Sequence, residues 1–358
     1  MPASFGSDPE RDAGALAAHA AGVVAPWPIV QAMARATGIA HVGLATPSSK
    51  QGMRALNSGR PLSVPGFSVY PLADGPFAVF DVIKGASADR AGLRIGDVLV
   101  RAGGERMTHQ VPALLPLATL PAGSGVPLAI ERAGRPLAIT LRLLDTDIPS
   151  LESRLLADAT AYVRIRWFAH SDDPQRDTAA LARRAFESLA AQGARGLVLD
   201  LRSALGGAGE ERIASALSDG EVIYYTRQPP GTAVEPVKRE GRRTWPQRPI
   251  AVLVNEQTIS SGEALALALR ELASAKIIGR TTSGGLTEFS FKPLADGYAL
   301  VIPTAVVVGP VSRSDQPGHA VHPDVDMPNP TVDELVRGRD RQLDAARAWL
   351  LSAQSATH

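Results

Sequence analysis

The sequence predicts a multidomain α/β protein, and three observations carry that prediction. The chain has 358 residues, a length that suits two or three domains. From about residue 155 onward, strand-like apolar runs alternate with helical ones, the signature of a mixed α/β sheet domain. Between residues 61 and 146, short β-type runs follow one another, separated by glycine and proline turns. The predicted division is a helical cap over 1–60, a β-rich module over 61–146 and an α/β core over 147–358.

The cap reads as helical from Ile29 to Ala34, with apolar residues on one face and Gly38 placed as a helix stop. Ile39 to Pro47 then reads as a brief extended piece ended by proline. The module's strands are FSVYPL, FAVFDVI, DVLVRAGG, VPLAIERAG and PLAITLRLL, with SADRAGL as a short helical insertion. In the core, AYVRIRWF is a strand, and Asp173-Pro174 is expected to open a helix that buries Leu181, Ala185, Phe186 and Leu189 before Gly193. RGLVLDL is apolar throughout, as a strand covered on both faces must be. Helix ERIASALS, strand EVIYYT, a loop over 227–249, strand IAVLV and helix SGEALALALRELA follow. Strands KIIG, FSFKPL and YALVIPTAVVV come next, and a capping box at Thr331 to Glu334 opens one final helix ending near Leu351.

Composition excludes several classes of chemistry. Thirty-seven basic against 36 acidic residues give a net charge of +1 with no long run of either sign, so nothing favours nucleic acid or an anionic membrane as partner. With no cysteine there is no disulfide, no thiolate nucleophile and no cysteine-bound zinc. No apolar run approaches 18 residues, so no transmembrane helix is expected. The N-terminus lacks a basic n-region, since Arg11 sits among Asp8, Glu10 and Asp12, and His19, Pro26 and Pro28 break its alanine-rich part. The chain as written is therefore expected in the cytoplasm, or exported where a leader has been removed. No histidine and carboxylate cluster has metal spacing, and no phosphate- or dinucleotide-binding glycine pattern occurs, so neither metal nor cofactor is expected.

Three segments could carry chemistry. In Val252 to Ala264 an apolar strand runs through a polar turn into a helix beginning Ser260-Ser261-Gly262-Glu263. A serine there sits beside free N–H groups and the positive end of a helix dipole, where a developing oxyanion is stabilised. Ser260-x-x-Glu263 is equally a capping box, so helix capping remains the plainer alternative. In Leu199 to Gly207 a strand ends in a turn containing Gly206 and Gly207, whose amides could approach a ligand, or which could be a plain connection. In the module, Pro65-Gly66-Phe67-Ser68-Val69 precedes Gly85-Ala86-Ser87-Ala88-Asp89-Arg90-Ala91-Gly92-Leu93-Arg94-Ile95-Gly96-Asp97.

That last run resembles the PDZ core pattern. The resemblance implies capture of a chain terminus by strand addition, with backbone amides around Gly66, Phe67, Ser68 and Val69 holding the terminal carboxylate. Because Phe67-Ser68-Val69 carries no charge, an apolar tail is the expected ligand. Taken in order, the cap, the module, the Gly-Gly turn, Thr258-Ile259-Ser260-Ser261-Gly262-Glu263, Gly279 to Gly285 and His322-Pro323-Asp324-Val325 resemble the C-terminal processing serine peptidases, a family with tricorn-like and nisin-resistance-like members. The resemblance spans about residues 30–350 and implies a crotonase-like core with an inserted PDZ module. It places Ser260 as nucleophile, with the amides of Ser261 and of Gly206 or Gly207 as oxyanion hole, and Glu263 as a supporting residue orienting the helix.

One departure changes the expected mechanism. Many members place a catalytic lysine after the nucleophile, but here that position is Gly285, and the supporting glutamine position is Phe289. Gly38-Ile39-Ala40-His41-Val42-Gly43-Leu44-Ala45-Thr46-Pro47 is similar to the cap segment of members that use histidine. His41 is therefore the expected base, taking the Ser260 proton and passing it to the leaving amine. Lys276, Lys292, His170, His319 and His322 rank below it, His19 and His109 have no motif around them, and Pro317 stands where an orienting acid aligns, with Asp315 nearby. The expected function is a serine endopeptidase that engages a polypeptide by its C-terminus. The alternatives are an inactive tail-binding pseudoprotease and an enzyme at rest until the module is occupied.

Overall fold

The computed structural model describes residues 41–60, 65–73, 75–107, 120–145, 148–228 and 234–355, with Val30, Met33, Ser63, Leu114 and Leu117 singly. Apart from Val30 and Met33, both helical, the expected helix at 29–34 and its Gly38 stop lie outside the described residues. Strand β1 (Gly43–Ala45) leads into helix α1 (Pro47–Asn57), which Thr46 caps through a reciprocal box with Ser49 and which has proline in its first turn.

Strands β2 (Phe67–Pro71), β3 (Phe77–Val82), β4 (Val98–Ala102), β5 (Glu105–Arg106), β6 (Gly125–Arg132) and β7 (Arg135–Arg142) form one antiparallel sheet in the order β2-β3-β4-β6-β7, with β5 beside β4. The one-turn helix α2 (Ser87–Arg90) packs against it. Phe77, Leu99, Leu128, Ile130 and Leu141 close a core separate from the rest of the molecule. Strand β2 is an edge of that sheet.

The remaining chain makes two more sheets. The first uses β8 (Leu151–Leu155), β9 (Thr160–Ile165), β10 (Gly196–Asp200), β13 (Ile250–Val254), β14 (Lys276–Gly279) and β17 (Val325–Asp326) in the order β17-β14-β13-β10-β9-β8, parallel except for β8. The second uses β1, β11 (Val222–Arg227), β12 (Val234–Lys238), β15 (Thr287–Pro293) and β16 (Ala299–Val308), all antiparallel and centred on β16. Helices α3 (Thr178–Ala191), α4 (Glu210–Leu217) and α5 (Ser261–Leu272) contribute to the main core, α6 (Val332–Val336) is short, and α7 (Arg341–Ser355) packs on the parallel sheet. On β10, Leu197 and Leu199 join the main core while Val198 joins Ala346 and Leu350 of α7. That two-sided burial is why the strand reads as one uninterrupted apolar run. Among the described residues, no helix is long and apolar enough to cross a membrane.

Several boundaries differ from the sequence expectation, each for a local reason. Helix α3 starts at Thr178 because the Asp177 carboxylate caps the Ala180 amide at 2.7 Å, while Asp173 to Arg176 only turn. The loop at 227–249 contains β12, whose edge position tolerates Pro236. The C-terminal segment is two helices, since Gly338 at φ 68° ends the first. Strand β8 carried no sequence signal, being the polar edge of its sheet.

The end of β10 is held by a buried ionic network. Arg202 forks onto Asp200 at 2.6 and 2.9 Å and also reaches Asp340, at 2.7 Å, and Gln342, while the Tyr162 hydroxyl donates to Asp200. Burial pushes the Asp200 carboxyl up, and the Arg202 guanidinium more than reverses this, leaving it well below the usual range. Replacing Arg202 with Met is expected to strand a buried carboxylate and cost about 3–5 kcal/mol of stability, read by urea denaturation.

Candidate active site

The parallel strands β10 and β13 lie side by side, so the turns at their C-terminal ends meet. The turn after β13 delivers Ser260 in a conformation that L-residues avoid, with φ 56° and ψ −118°, at the mouth of α5. The turn after β10 delivers Gly206 and Gly207. A Cβ on Gly206 would stand 3.0 Å from the Ser260 Cβ, and one on Gly207 would stand 1.8 Å from the Phe168 carbonyl oxygen. Only glycine permits that second approach, which presses the turn against the segment following β9. The Ser261 hydroxyl donates to the Gly207 carbonyl at 2.9 Å and ties the two turns together.

Beneath Ser260 lies Glu263, which is fully buried. Its Oε2 accepts the amides of Ser260 and Gly285, each at 2.8 Å, and the Ser283 hydroxyl at 3.3 Å. Its Oε1 accepts the Gly284 amide at 2.9 Å and the Thr282 hydroxyl. Burial lifts this carboxyl to about 7, against the pull of all those donors. A Cβ at Gly285 would stand 2.9 Å from Oε2 and 2.7 Å from Ile259 Cγ1. The backbone at Gly285 is thus packed directly onto the turn that carries Ser260.

An open cleft of about 410 Å³ fronts Ser260 and Ser261, bounded on one side by Gly207 to Glu211 and on another by Gly285 and Thr287 to Phe289. Its walls also include His170, Tyr224 and Val307. Burial, reinforced by Glu210, lifts the Glu211 carboxyl to about 7, and burial with Glu210 and Glu235 raises Glu288 as well. The Tyr224 hydroxyl donates to Glu210 at 2.7 Å.

His41 is not among the residues that line the cleft. It stands behind two that do, with Nδ1 2.8 Å from the Thr287 hydroxyl and its ring 4.9 Å from that of Phe289. Burial pushes its imidazole down to about 4, partly offset by a hydrogen bond to the Thr287 backbone. His170 lines the cleft from its exposed position beside Arg212. The ring of His322 meets the Thr281 hydroxyl and the Pro317 carbonyl, and Asp315 is paired with Arg227. Lys276 begins β14 and Lys292 lies on β15.

The structure thus brings Ser260, Ser261, Gly206, Gly207 and Glu263 together, with His41 in the layer behind. Gly66, Phe67, Ser68 and Val69 lie elsewhere, against the core. The Ser203 hydroxyl donates to the Val69 carbonyl at 2.8 Å, Arg164 reaches the Ser68 hydroxyl at 3.0 Å, and the space left there is about 40 Å³. That volume holds only a few waters, and Ser203 already occupies one carbonyl of the β2 edge. Sequence reasoning missed the Thr287 hydroxyl and the acidic wall. A threonine opening a strand carries no sign of its partner, and Glu210, Glu211 and Glu288 come from two distant segments.

A parallel sheet whose strand ends present a strained serine at a helix N-terminus, opposite a glycine turn, defines an α/β protein with its candidate site at the carboxyl ends of the strands. Residues 159–327 match the model of Peptidase family S41, and the chain is a homologue of that family's carboxyl-terminal processing proteases, which are serine peptidases. It is 28% identical to carboxy-terminal processing protease CtpA of Bacillus subtilis over 237 residues, covering 65% of this chain and 49% of that protein. It is 29% identical to the chloroplastic carboxyl-terminal-processing peptidase 2 of Arabidopsis thaliana over 300 residues, 78% of this chain and 55% of that protein. The chain therefore spans about half the length of these curated relatives. Among solved structures, the photosystem II D1 C-terminal processing protease shares the fold at a TM-score of 0.58 and 24% identity, covering 84% of this chain and 81% of that one. Mature CPAF does so at 0.52 and 14%, covering 98% and 91%.

Replacing Glu263 with Gln puts an NH2 where at least two donors now point. The expected cost is about 1–3 kcal/mol for each donor left unpaired, measured by urea denaturation.

Proposed function

We propose that this chain is a serine endopeptidase of the C-terminal processing type, working by acyl transfer without metal or cofactor. Ser260 is the nucleophile, and its φ/ψ pair at the helix mouth is the observation that carries the reading. Such strain costs about 1–3 kcal/mol and persists only where surrounding contacts enforce it, here the Glu263 carboxylate and the Gly206 turn. The Ser261 amide opens α5 and has no partner within the helix, so it and a Gly206 or Gly207 amide can receive a tetrahedral oxyanion. His41 is the base, and it must reach Ser260 past Thr287 and Phe289. The proton on Ser260 Oγ passes to His41 Nε2 as Oγ bonds the scissile carbonyl carbon, then passes to the departing amine as the C–N bond breaks.

The module over 61–146 is proposed to bind a polypeptide C-terminus in the PDZ manner, beside the β2 edge at Gly66 to Val69. An apolar tail fits the uncharged Phe67-Ser68-Val69 strand. Entry there requires the Ser203 to Val69 hydrogen bond to give way. Ser203 precedes the Gly206 turn by three residues, so release of its bond to Val69 is proposed to bear on that turn.

A second reading, tail binding without catalysis, is favoured by the position of His41 outside the cleft. Labelling by a fluorophosphonate probe separates the two. The wild type is expected to label in the presence of apolar C-terminal peptides, and Ser260→Ala and His41→Ala are expected to lose the label. Labelling that survives His41→Ala moves the base role elsewhere, and none in the wild type leaves tail binding alone.

The acid limb of activity offers a further check. With its pKa depressed from 6.5 to about 4, His41 stays neutral and able to accept a proton well below pH 6. Protonation of Glu263 and Glu211, both lifted to about 7, is expected to give a first, partial fall near that pH. The limb that belongs to His41 is expected near pH 4, and a rate that does not fall further between about pH 5 and 3 contradicts a buried His41 base.

A further inference from the structure

A histidine base needs one ring nitrogen protonated and held so that the other keeps its lone pair for the nucleophile. A carboxylate commonly supplies that hold. Here, among the described residues, the His41 ring hydrogen-bonds only with neutral groups of Thr287, its hydroxyl at 2.8 Å from Nδ1 and its backbone.

We propose that Thr287 is the positioning residue for His41: its Oγ1 accepts the Nδ1–H, fixing the tautomer whose Nε2 takes the Ser260 proton. The inference rests on the serine–histidine reading of the site.

The surrounding structure holds both partners in place although they are 246 residues apart in sequence. Strand β16 is their shared template, pairing Gly43 with Val301 on one side and Thr287 with Val306 on the other. Thr287 is buried, and its β-branched side chain has few rotamers to choose from. Its amide turns back to the Gly285 carbonyl at 2.7 Å, and the Gly285 amide is gripped by Glu263. The position of the hydroxyl is therefore referred, through two hydrogen bonds, to the same carboxylate that grips the Ser260 amide. On the other side, His41 leaves the ordinary backbone region at φ 60°, and its ring leans on Phe289 at an interplanar angle of 49°. Both Thr287 and Phe289 face the cleft, so the ring is docked against the wall of the site it serves. Thr287 supplies orientation alone, because a hydroxyl adds no charge to stabilise the imidazolium formed when Nε2 takes the proton.

The test compares Thr287→Val, which keeps shape and removes the hydroxyl, with Thr287→Ser, which keeps the hydroxyl. Fluorophosphonate labelling is followed over a range of probe concentrations, separating probe affinity from the maximal rate. Thr287→Val is expected to lower the maximal rate about tenfold or more with affinity unchanged, and Thr287→Ser to label close to the wild-type rate. In parallel, 15N NMR of histidine-labelled protein, with His41 assigned from His41→Ala, is expected to show Nδ1 protonated in the wild type and a mixture of tautomers in Thr287→Val. Wild-type labelling by Thr287→Val while His41→Ala is inert overturns the role of Thr287 and leaves His41 as base. Equal losses in Val and Ser variants with an unchanged His41 spectrum reduce Thr287 to packing and overturn the proposal too. Full labelling of His41→Ala removes the serine–histidine reading on which both depend.

Discussion

The site depends on one buried carboxylate. Glu263 gathers the amides of Ser260, Gly284 and Gly285 and the hydroxyls of Thr282 and Ser283 around a single group. Those donors come from two segments, the turn at Ser260 and the connection after β14, which the Ser283 amide also joins by donating to the Thr258 carbonyl at 3.1 Å. A carboxylate removed from water loses its hydration, and only a full set of donors replaces it. The same set fixes Ser260 in its strained backbone and positions the start of β15, where Thr287 meets His41. Any side chain at 285 would press its Cβ on this carboxylate and on Ile259.

A second constraint lies one strand away. Arg202 and Asp200 lock the end of β10 to α7, and the glycine turn begins four residues after Arg202. Gly207 then packs so closely on Phe168 that no side chain fits. The two turns that meet at the cleft are thus each anchored by a buried ionisable network and brought together by the parallel pairing of β10 with β13. The Ser260 and glycine turns are held by the parallel sheet, whereas His41 is hung, through β1 and β16, on a different one.

Much of this architecture was legible in the sequence because it rests on local periodicity and turn chemistry. The uninterrupted apolar run of β10, the Ser260-Ser261-Gly262-Glu263 helix opening and the paired glycines at 206 and 207 each announce their own environment. What stayed hidden depends on contacts between distant segments. The five donors to Glu263 span only residues 260–285, yet a capping box predicts just one of them. The partnership of His41 with Thr287 leaves no trace in either segment, because a threonine in a strand reads as β propensity. The hydrogen bond that occupies the Val69 carbonyl of β2 was equally unreadable, since its donor is Ser203, in the core. The helix break at Gly338 was signalled by the glycine itself, but the capping box at Thr331 drew the helix past it.

The most direct test of the central claim is a crystal structure of the protein after reaction with a fluorophosphonate. The account predicts phosphorus bonded to Ser260 Oγ, with one phosphonyl oxygen about 3 Å from the Ser261 amide and from an amide of the Gly206-Gly207 turn. It also predicts that the Glu263 carboxylate still grips the Ser260 amide. An adduct on another residue, or one on Ser260 whose oxygens face only solvent, would contradict it.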